Sequence, residues 1–167
     1  MQQQNGPNTS GQYVSALTIL CFALIAGIVI FSGITLFIFL VQKINHPVPQ
    51  LAKIFSIISA SITMICLYAG MTLFKNKKLA AKEMGTLGEK LNAYRAAVIL
   101  FYALLEGPAL FSVIAFFLTG ELRVFVAVAA SLIVMLQFVP NRQRIIKDLE
   151  LSSGETDVIK DPNGLIE

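Results

Sequence analysis

Residues Val14–Val41 read VSALTILCFALIAGIVIFSGITLFIFLV and contain no charged side chain. As an α-helix rising about 1.5 Å per residue, this stretch is about 42 Å long, more than the roughly 30 Å hydrocarbon core of a bilayer. A secretory signal does not fit, because no Lys or Arg precedes the stretch and the apolar part of a signal has only about 7–15 residues. The stretch therefore predicts a retained membrane-spanning helix.

Three more apolar runs follow, and only 14% of the residues in the chain are charged, against roughly 25% in soluble domains. The fourth run is short and needs Leu122 and Arg123, whose long side chain can reach the membrane interface. A re-entrant or interfacial helix is the alternative for this run. The sequence predicts an all-α, multi-pass membrane protein with four transmembrane helices. Their expected ranges are 14–41, 54–74, 96–119 and 122–140, which together form a membrane domain at 14–140.

The segments outside these runs are more polar. Residues 1–13 are expected to be a disordered tail, and the segment Lys75–Arg95 between the second and third spans is expected to be helical. Residues 141–151 combine apolar and basic side chains in a pattern that predicts a short amphipathic helix on the cytoplasmic surface. Residues 152–167 contain glycine and proline and are expected to form a flexible tail.

The distribution of basic residues predicts the orientation. Ten of the 13 Lys and Arg lie between the second and third spans or in the C-terminal tail. Positive charge marks the cytoplasmic side, so both chain ends are expected inside the cell. Helical spans also indicate the inner membrane, because outer-membrane proteins are normally barrels. The basic residues expected to face anionic headgroups or a cytoplasmic partner are Lys75, Lys77, Lys78, Arg142, Arg144 and Lys147.

Spans one and three resemble each other when they are aligned without gaps. ALIAGIVIFSGI at 23–34 and ALLEGPALFSVI at 103–114 agree at six of twelve positions. Spans two and four match more weakly, in an alignment that places Ala60 over Ala130. This pattern predicts a duplicated α-hairpin whose two copies are parallel and related by an axis along the membrane normal.

Glu106 is the one Asp, Glu, Lys or Arg side chain well inside a predicted span, about 15 Å from its cytoplasmic end. Inserting a central acidic residue costs about 2.5–3.5 kcal/mol, so Glu106 is expected to face the bundle interior and to have a partner. Pro108 frees a backbone carbonyl nearby, which favours a proton or cation site. The alternative is structural, with the acid hydrogen-bonded to a neighbouring helix. The candidate ion or proton site comprises Glu106, Gly107, Pro108, Thr63, Ser59 and Ser131.

The sequence contains none of the motifs that identify common enzymes. It has no phosphate-binding loop, no HExxH, no nucleophile elbow and no paired carboxylates within a span. Cys21 and Cys66 follow no metal-ligand spacing. No module for binding nucleic acid is present. We therefore expect a protein that is not an enzyme, with no catalytic residue, no metal, no cofactor and no nucleic-acid partner.

The stretch Tyr94–Leu151 resembles the second half of a set of small, uncharacterised bacterial four-helix membrane proteins. In that set a Tyr-Arg pair opens the third span, an ALLEGPALF-type segment fills it, and a proline followed by basic residues ends the fourth. Residues Ala103–Ala109, ALLEGPA, are also similar to the ion-carrying helix of the proteolipid (c) subunits of rotary ATPases. The first resemblance implies a fold, and the second implies ion translocation.

The expected function is that of a small, non-enzymatic four-helix bundle whose Glu106 responds to protons or cations. The alternatives are an ion-translocating or transport subunit like a proteolipid, and a membrane scaffold or accessory protein that recruits a cytoplasmic partner. A membrane enzyme has the least support. The expected partners are the lipid bilayer, with anionic headgroups at its cytoplasmic face, and either a second copy of the chain or another membrane subunit.

Overall fold

The computed structural model describes residues 9–42 and 49–166, and helices dominate this part of the chain. The first three helices are each long and apolar enough to cross a membrane. Within the described residues, the all-α class is therefore confirmed. The helices are α1 (Ser10–Gln42), α2 (Pro49–Lys82), α3 (Leu87–Thr119), a 3-10 turn (Leu122–Val124), α4 (Phe125–Gln137), α5 (Arg142–Leu149) and α6 (Ser153–Lys160).

Helices α2 and α3 continue past their apolar runs, so the predicted segment Lys75–Arg95 is helical except at residues 83–86. Those four residues form the turn that separates the two helices. Thr86 caps α3, because its hydroxyl accepts a hydrogen bond from the Glu89 N–H at 3.2 Å and the Glu89 carboxylate accepts one from the Thr86 N–H at 3.2 Å. Gly120 ends α3 with a left-handed backbone at φ 68°.

Helix α3 lies at the centre of the bundle. In the most apolar 18-residue stretch of α3, half of the residues are buried within the protein. In the corresponding stretches of α1 and α2 the buried share is 17%. Its interface with α2 depends on Gly70, where a Cβ atom would lie 3.3 Å from the side chains of Leu105 and Phe101. Small residues allow this close approach of two membrane helices. Glycine at position 70 therefore allows α2 and α3 to pack closely at this point.

Helix α1 runs parallel to α3. The Tyr13 hydroxyl donates a hydrogen bond to the Leu91 carbonyl at 2.6 Å near one end, and the rings of Phe39 and Phe116 are 4.9 Å apart near the other. Beyond Ile28 most apolar side chains of α1 are exposed. Such a surface is suited to hydrocarbon rather than water. Over the described residues, the fold thus defines the class: an all-helical protein with three helices that are long and apolar enough to span a membrane.

Residues 152–166 form the N-cap of α6, α6 itself and a turn after it, which corrects the prediction of a flexible tail at 152–167 for the described part of that range. Glu167 lies outside the described residues. Ser152 and Glu155 form a capping box that starts α6, and Ile159 is fully buried. The main-chain N–H of Ser10 donates to the Gly164 carbonyl at 2.9 Å. The prediction was wrong for two reasons. Ser152 and Pro162 lie on either side of α6 and do not interrupt it. Ile159 is the one buried residue of this helix, so the sequence shows no repeating pattern of apolar residues that would indicate a helix.

The start of α1 requires a second correction. Residues 10–13 were included in the predicted disordered tail, but they form the first turn of α1 and pack against the end of the chain. The main-chain N–H of Gly11 donates to the Pro162 carbonyl at 3.1 Å, and the Ser10 hydroxyl donates to the Asp161 carbonyl. These contacts between distant segments could not be read from local composition. The rest of the predicted tail, residues 1–8, lies outside the described residues.

Helix α5 confirms the predicted short amphipathic helix, but its apolar face contacts protein. Ile145 and Leu149 are at most 1% exposed. Together with α6, the start of α1 and the α2–α3 turn, α5 forms one end of the bundle, here called the basic end. The opposite end, with the α3–α4 connection, is called the far end.

Candidate functional site

Glu106 lies at the border between the buried and the exposed faces of α3. Tyr102 and Ala109, one turn away on either side, are fully buried, whereas Ala103 and Gly107 are exposed. The Glu106 side chain is half-buried, and no other described residue forms a hydrogen bond or ion pair with it. The structure therefore places this acid on the edge of the bundle rather than in the interior where it was expected.

Pro108 does not interrupt α3. The helix continues to Thr119, and Pro108 is buried against neighbouring residues. The Ser112 hydroxyl donates to the Pro108 carbonyl at 2.8 Å, which bonds the hydroxyl within its own helix. A Cβ atom at Gly107 would meet nothing within 4 Å, so this glycine is open to the surroundings.

A groove of about 150 Å³ separates α2 from α4. Ser59 and Thr63 line it, are only 1% and 3% exposed, and have hydroxyls without a hydrogen-bond partner among the described residues. No residue of α3 contributes to its wall. Glu106 does not line the groove, so the structure separates it from Ser59 and Thr63, with which it was predicted to form one site. The groove is lined by Ser56, Ser59, Ala60, Thr63, Met64, Leu67, Arg123, Val124, Val126, Ala127 and Ala130.

Ser131 belongs to neither place. Ser131 lies on α4 and is 1% exposed, and its hydroxyl also has no hydrogen-bond partner among the described residues. It does not line the groove, although its neighbour Ala130 does. Of the expected residues, Ser59 and Thr63 are the two that line the groove between α2 and α4.

The far end of the groove opens beside charged side chains that sequence reasoning did not assign to a site. A wider cavity of about 520 Å³ there is lined by Lys53, Ser56, Ile57, Glu121 and Arg123. Arg123 Nε lies 3.3 Å from a Glu121 carboxylate oxygen. The three- and four-residue steps between Ser56, Ser59 and Thr63 in the sequence indicate that these hydroxyls share one face of α2. The charges were not, because only the packing of the α3–α4 connection brings Arg123 beside α2.

The basic end holds three ion pairs between the α2–α3 region and the tail. Lys78 Nζ lies 3.0 Å from Asp148 Oδ1, and Lys90 Nζ lies 2.8 Å from Glu155 Oε1. The hydrogen bond from Lys90 holds the pKa of Glu155 below its usual range, so this carboxylate stays charged at neutral pH. The third pair joins Lys82 to Glu150.

Three of the six basic residues expected to face lipid or a partner are engaged by the chain itself. Lys78 pairs with Asp148, and Arg142 donates to the Lys160 carbonyl at 2.7 Å. Arg144 donates to the Gln137 carbonyl, and its guanidinium lies 4.6 Å from the centre of the Phe138 ring. The other three, Lys75, Lys77 and Lys147, are exposed.

Cys21 and Cys66 are free thiols, and the described residues hold no cluster of three His, Cys, Asp or Glu side chains arranged for a metal ion. No protein-family model, no curated protein and no solved structure matches this chain. The two candidate places, Glu106 on α3 and the groove between α2 and α4, therefore rest on the geometry of the chain.

Proposed function

We propose that this chain is a small, non-enzymatic integral membrane protein of the inner membrane, with four membrane segments and both ends in the cytoplasm. The fourth segment, Leu122–Gln137, is about 24 Å long at about 1.5 Å per residue. After it the chain bends by 82° into α5. The start of α1, the α2–α3 turn and the tail meet at the basic end. These three parts of the chain lie on the same side of the membrane if the chain crosses it twice between each of them and the next.

The proposed duplication of the hairpin has support from the groove. Ala60 and Ala130, which correspond in the alignment of spans two and four, both line it. Helices α1 and α3, the first helices of the two copies, run parallel, as two parallel copies require. The second copy differs from the first by its shorter final helix.

A cysteine-labelling experiment tests the proposed topology. With Cys21 and Cys66 replaced by alanine, we expect Glu121→Cys to react with a membrane-impermeant maleimide in intact spheroplasts. Glu83→Cys in the α2–α3 turn and Lys160→Cys, after the fourth segment, should react only after lysis, because both are expected on the cytoplasmic side. Labelling of Glu83→Cys or Lys160→Cys in sealed cells, or of Glu121→Cys only after lysis, would contradict four segments with both ends inside.

For the specific role, we infer that Glu106 is a proton- or cation-responsive site. The observation that carries this inference is a half-buried carboxyl group in an apolar helix, without a hydrogen bond or ion pair from the described residues. An acid in hydrocarbon must either carry a proton or meet a cation or polar partner. Its position beside exposed Ala103 and Gly107 leaves room for such a partner to approach.

Reaction with a hydrophobic carbodiimide tests this role, because the reagent modifies protonated carboxyl groups in apolar surroundings. We expect Glu106 to be modified in reconstituted membranes. Protection by Na⁺ would indicate a cation site. Mass spectrometry of peptides detects the carbodiimide adduct. The Glu106→Gln variant lacks the carboxyl group and serves as the blank. Glu83→Gln, on an exposed turn, is the matched control and should leave the adduct at Glu106 unchanged.

A lack of reactivity would overturn the role of Glu106. If Glu106 is unreactive at every pH in lipid, or if its reactivity is independent of both pH and cations, the carboxyl group is a packing element. The alternative of an ion-translocating subunit adds a requirement, namely ion flux in proteoliposomes that Glu106→Gln abolishes. The scaffold alternative depends instead on the exposed Lys75, Lys77 and Lys147, since the tail is occupied by contacts within the chain.

A further inference from the structure

The groove between α2 and α4 has features that the proposed role of Glu106 does not use. Ser56 satisfies its hydroxyl within its own helix, donating to the Ala52 carbonyl at 2.9 Å. Ser59 and Thr63, one and two turns further along the same groove, have no such bond. Hydrocarbon chains cannot accept a hydrogen bond, so lipid tails alone would leave both donors unsatisfied.

The groove is accessible from the side of the bundle. Met64 and Val126, both on its lining, are 68% and 71% exposed and therefore form its rim. Most of the remaining wall is apolar, with Leu67, Val124 and Ala127. A molecule that enters here comes from the bilayer and must itself be mainly apolar.

The mouth of the groove adds a preference for negative charge. Lys53 and Arg123 both line the far-end cavity, and Glu121 is the one acid beside them. Two cations against one anion leave an excess positive charge at the level where headgroups meet hydrocarbon. Arg123, with 86% of its side chain exposed, keeps donors available for a phosphate even while Nε contacts Glu121.

We propose that this groove binds one anionic glycerophospholipid, with its phosphate at Lys53 and Arg123 and its ester carbonyls at Ser59 and Thr63. Such a lipid carries, in order from its headgroup, one anion, two hydrogen-bond acceptors and two apolar chains. The groove presents the complementary order of two cations, two unpartnered donors and an apolar wall. The lipid site is independent of Glu106, which lies on a different helix and outside the groove.

Native mass spectrometry of the full chain tests the proposal. The purified protein is incubated with mixed micelles of phosphatidylglycerol and phosphatidylcholine whose acyl chains differ in mass, and the lipid retained per chain is counted. We expect one retained phosphatidylglycerol, favoured over phosphatidylcholine by about fivefold to tenfold, as one added charge-assisted contact would give. Arg123→Gln should remove this preference, while Lys77→Gln at the basic end should preserve it.

The hydroxyls are tested separately. Ser59→Ala with Thr63→Val should lower the retained phosphatidylglycerol by about tenfold, the effect of losing two hydrogen bonds of ordinary strength. The matched control is Ser61→Ala with Thr72→Val, which removes two exposed hydroxyls from the same helix. A second variant, Ala60→Leu, narrows the rim without touching a hydroxyl and should also reduce retention.

Three outcomes would overturn the proposal. Equal retention of phosphatidylcholine would remove the preference for an anion. Unchanged retention in the Ser59→Ala, Thr63→Val double variant, together with higher thermal stability, would show that the groove packs dry. Absence of any retained lipid on wild-type protein, with circular dichroism confirming its helices, would remove the site altogether.

Discussion

Replacing Tyr102 with alanine is expected to destabilise the membrane domain by about 3 kcal/mol, the largest effect of any single side chain considered. Tyr102 is fully buried on α3, its hydroxyl donates to the Met135 carbonyl at 2.7 Å, and Cys21 of α1 lies beside it. Removing about 100 Å³ of side chain at about 24 cal/mol per Å³ of cavity costs about 2.4 kcal/mol. The lost hydrogen bond between membrane helices adds about 0.6 kcal/mol.

The transfer of Tyr102 out of water contributes little to this figure, because its alternative surroundings are lipid rather than solvent. Tyr68→Ala is the matched control, since Tyr68 lies on α2 with 76% of its surface exposed and forms no part of the core. We expect that control to stay within about 0.5 kcal/mol of wild type. Reversible unfolding in mixed micelles measures both. Equal losses for the two variants would mean that Tyr102 does not join α1, α3 and α4.

Replacing Asp148 with alanine is expected to release the tail from the basic end, at a cost of about 2–3 kcal/mol. Asp148 accepts hydrogen bonds from Lys78 at 3.0 Å and from the buried Tyr94 hydroxyl at 3.1 Å, and Arg144 lies 3.9 Å away. Its side chain is 13% exposed. Removing one partner of a fully buried pair costs about 3–5 kcal/mol, and the partial exposure of Lys78 reduces that figure.

Hydrogen exchange of the α5 and α6 amides measures the release. Asp148→Asn keeps an acceptor for Tyr94 but removes the charge, so it should give an intermediate rate and separate the two contributions. Glu150→Gln is the control, because the Glu150 side chain is 73% exposed and solvent screens its ion pair with Lys82. If Asp148→Ala exchanges no faster than this control, the buried apolar residues of α5 hold the tail alone.

The two ends of the bundle differ in a way that bears on function. The basic end is closed by ion pairs, a capping box and contacts between the start of α1 and the end of the chain. Towards the far end, α1 exposes most of its apolar side chains, and the groove between α2 and α4 stays open with unpartnered hydroxyls. A ligand from the membrane therefore has access at the far end, while the closed end fixes the positions of the helices around it.

Most of the fold follows from local sequence. Apolar runs such as Val14–Val41 predict long helices because every backbone polar group in lipid must be satisfied within its own segment. In the structure α3 ends at Thr119, and a 3-10 turn that begins at Leu122 leads into α4. The prediction for the tail failed because the end of the chain is held by partners distant in the sequence, including Lys90 and Ser10. Four crossings, the duplicated hairpin and the orientation stay predictions.

The sequence by itself determined that this protein is helical, where its long apolar helices lie and which polar side chains stand out within them. Only the tertiary structure decided which of those side chains meet. Depth along a helix follows from counting residues, and this count predicts similar depths in the membrane for Glu106 and Thr63. The direction in which each side chain points depends on how each helix is rotated against its neighbours, and packing at contacts such as Gly70 against Leu105 sets that rotation. For this reason Ser59 and Thr63 face α4 across a groove, while Glu106 lies apart on the edge of α3.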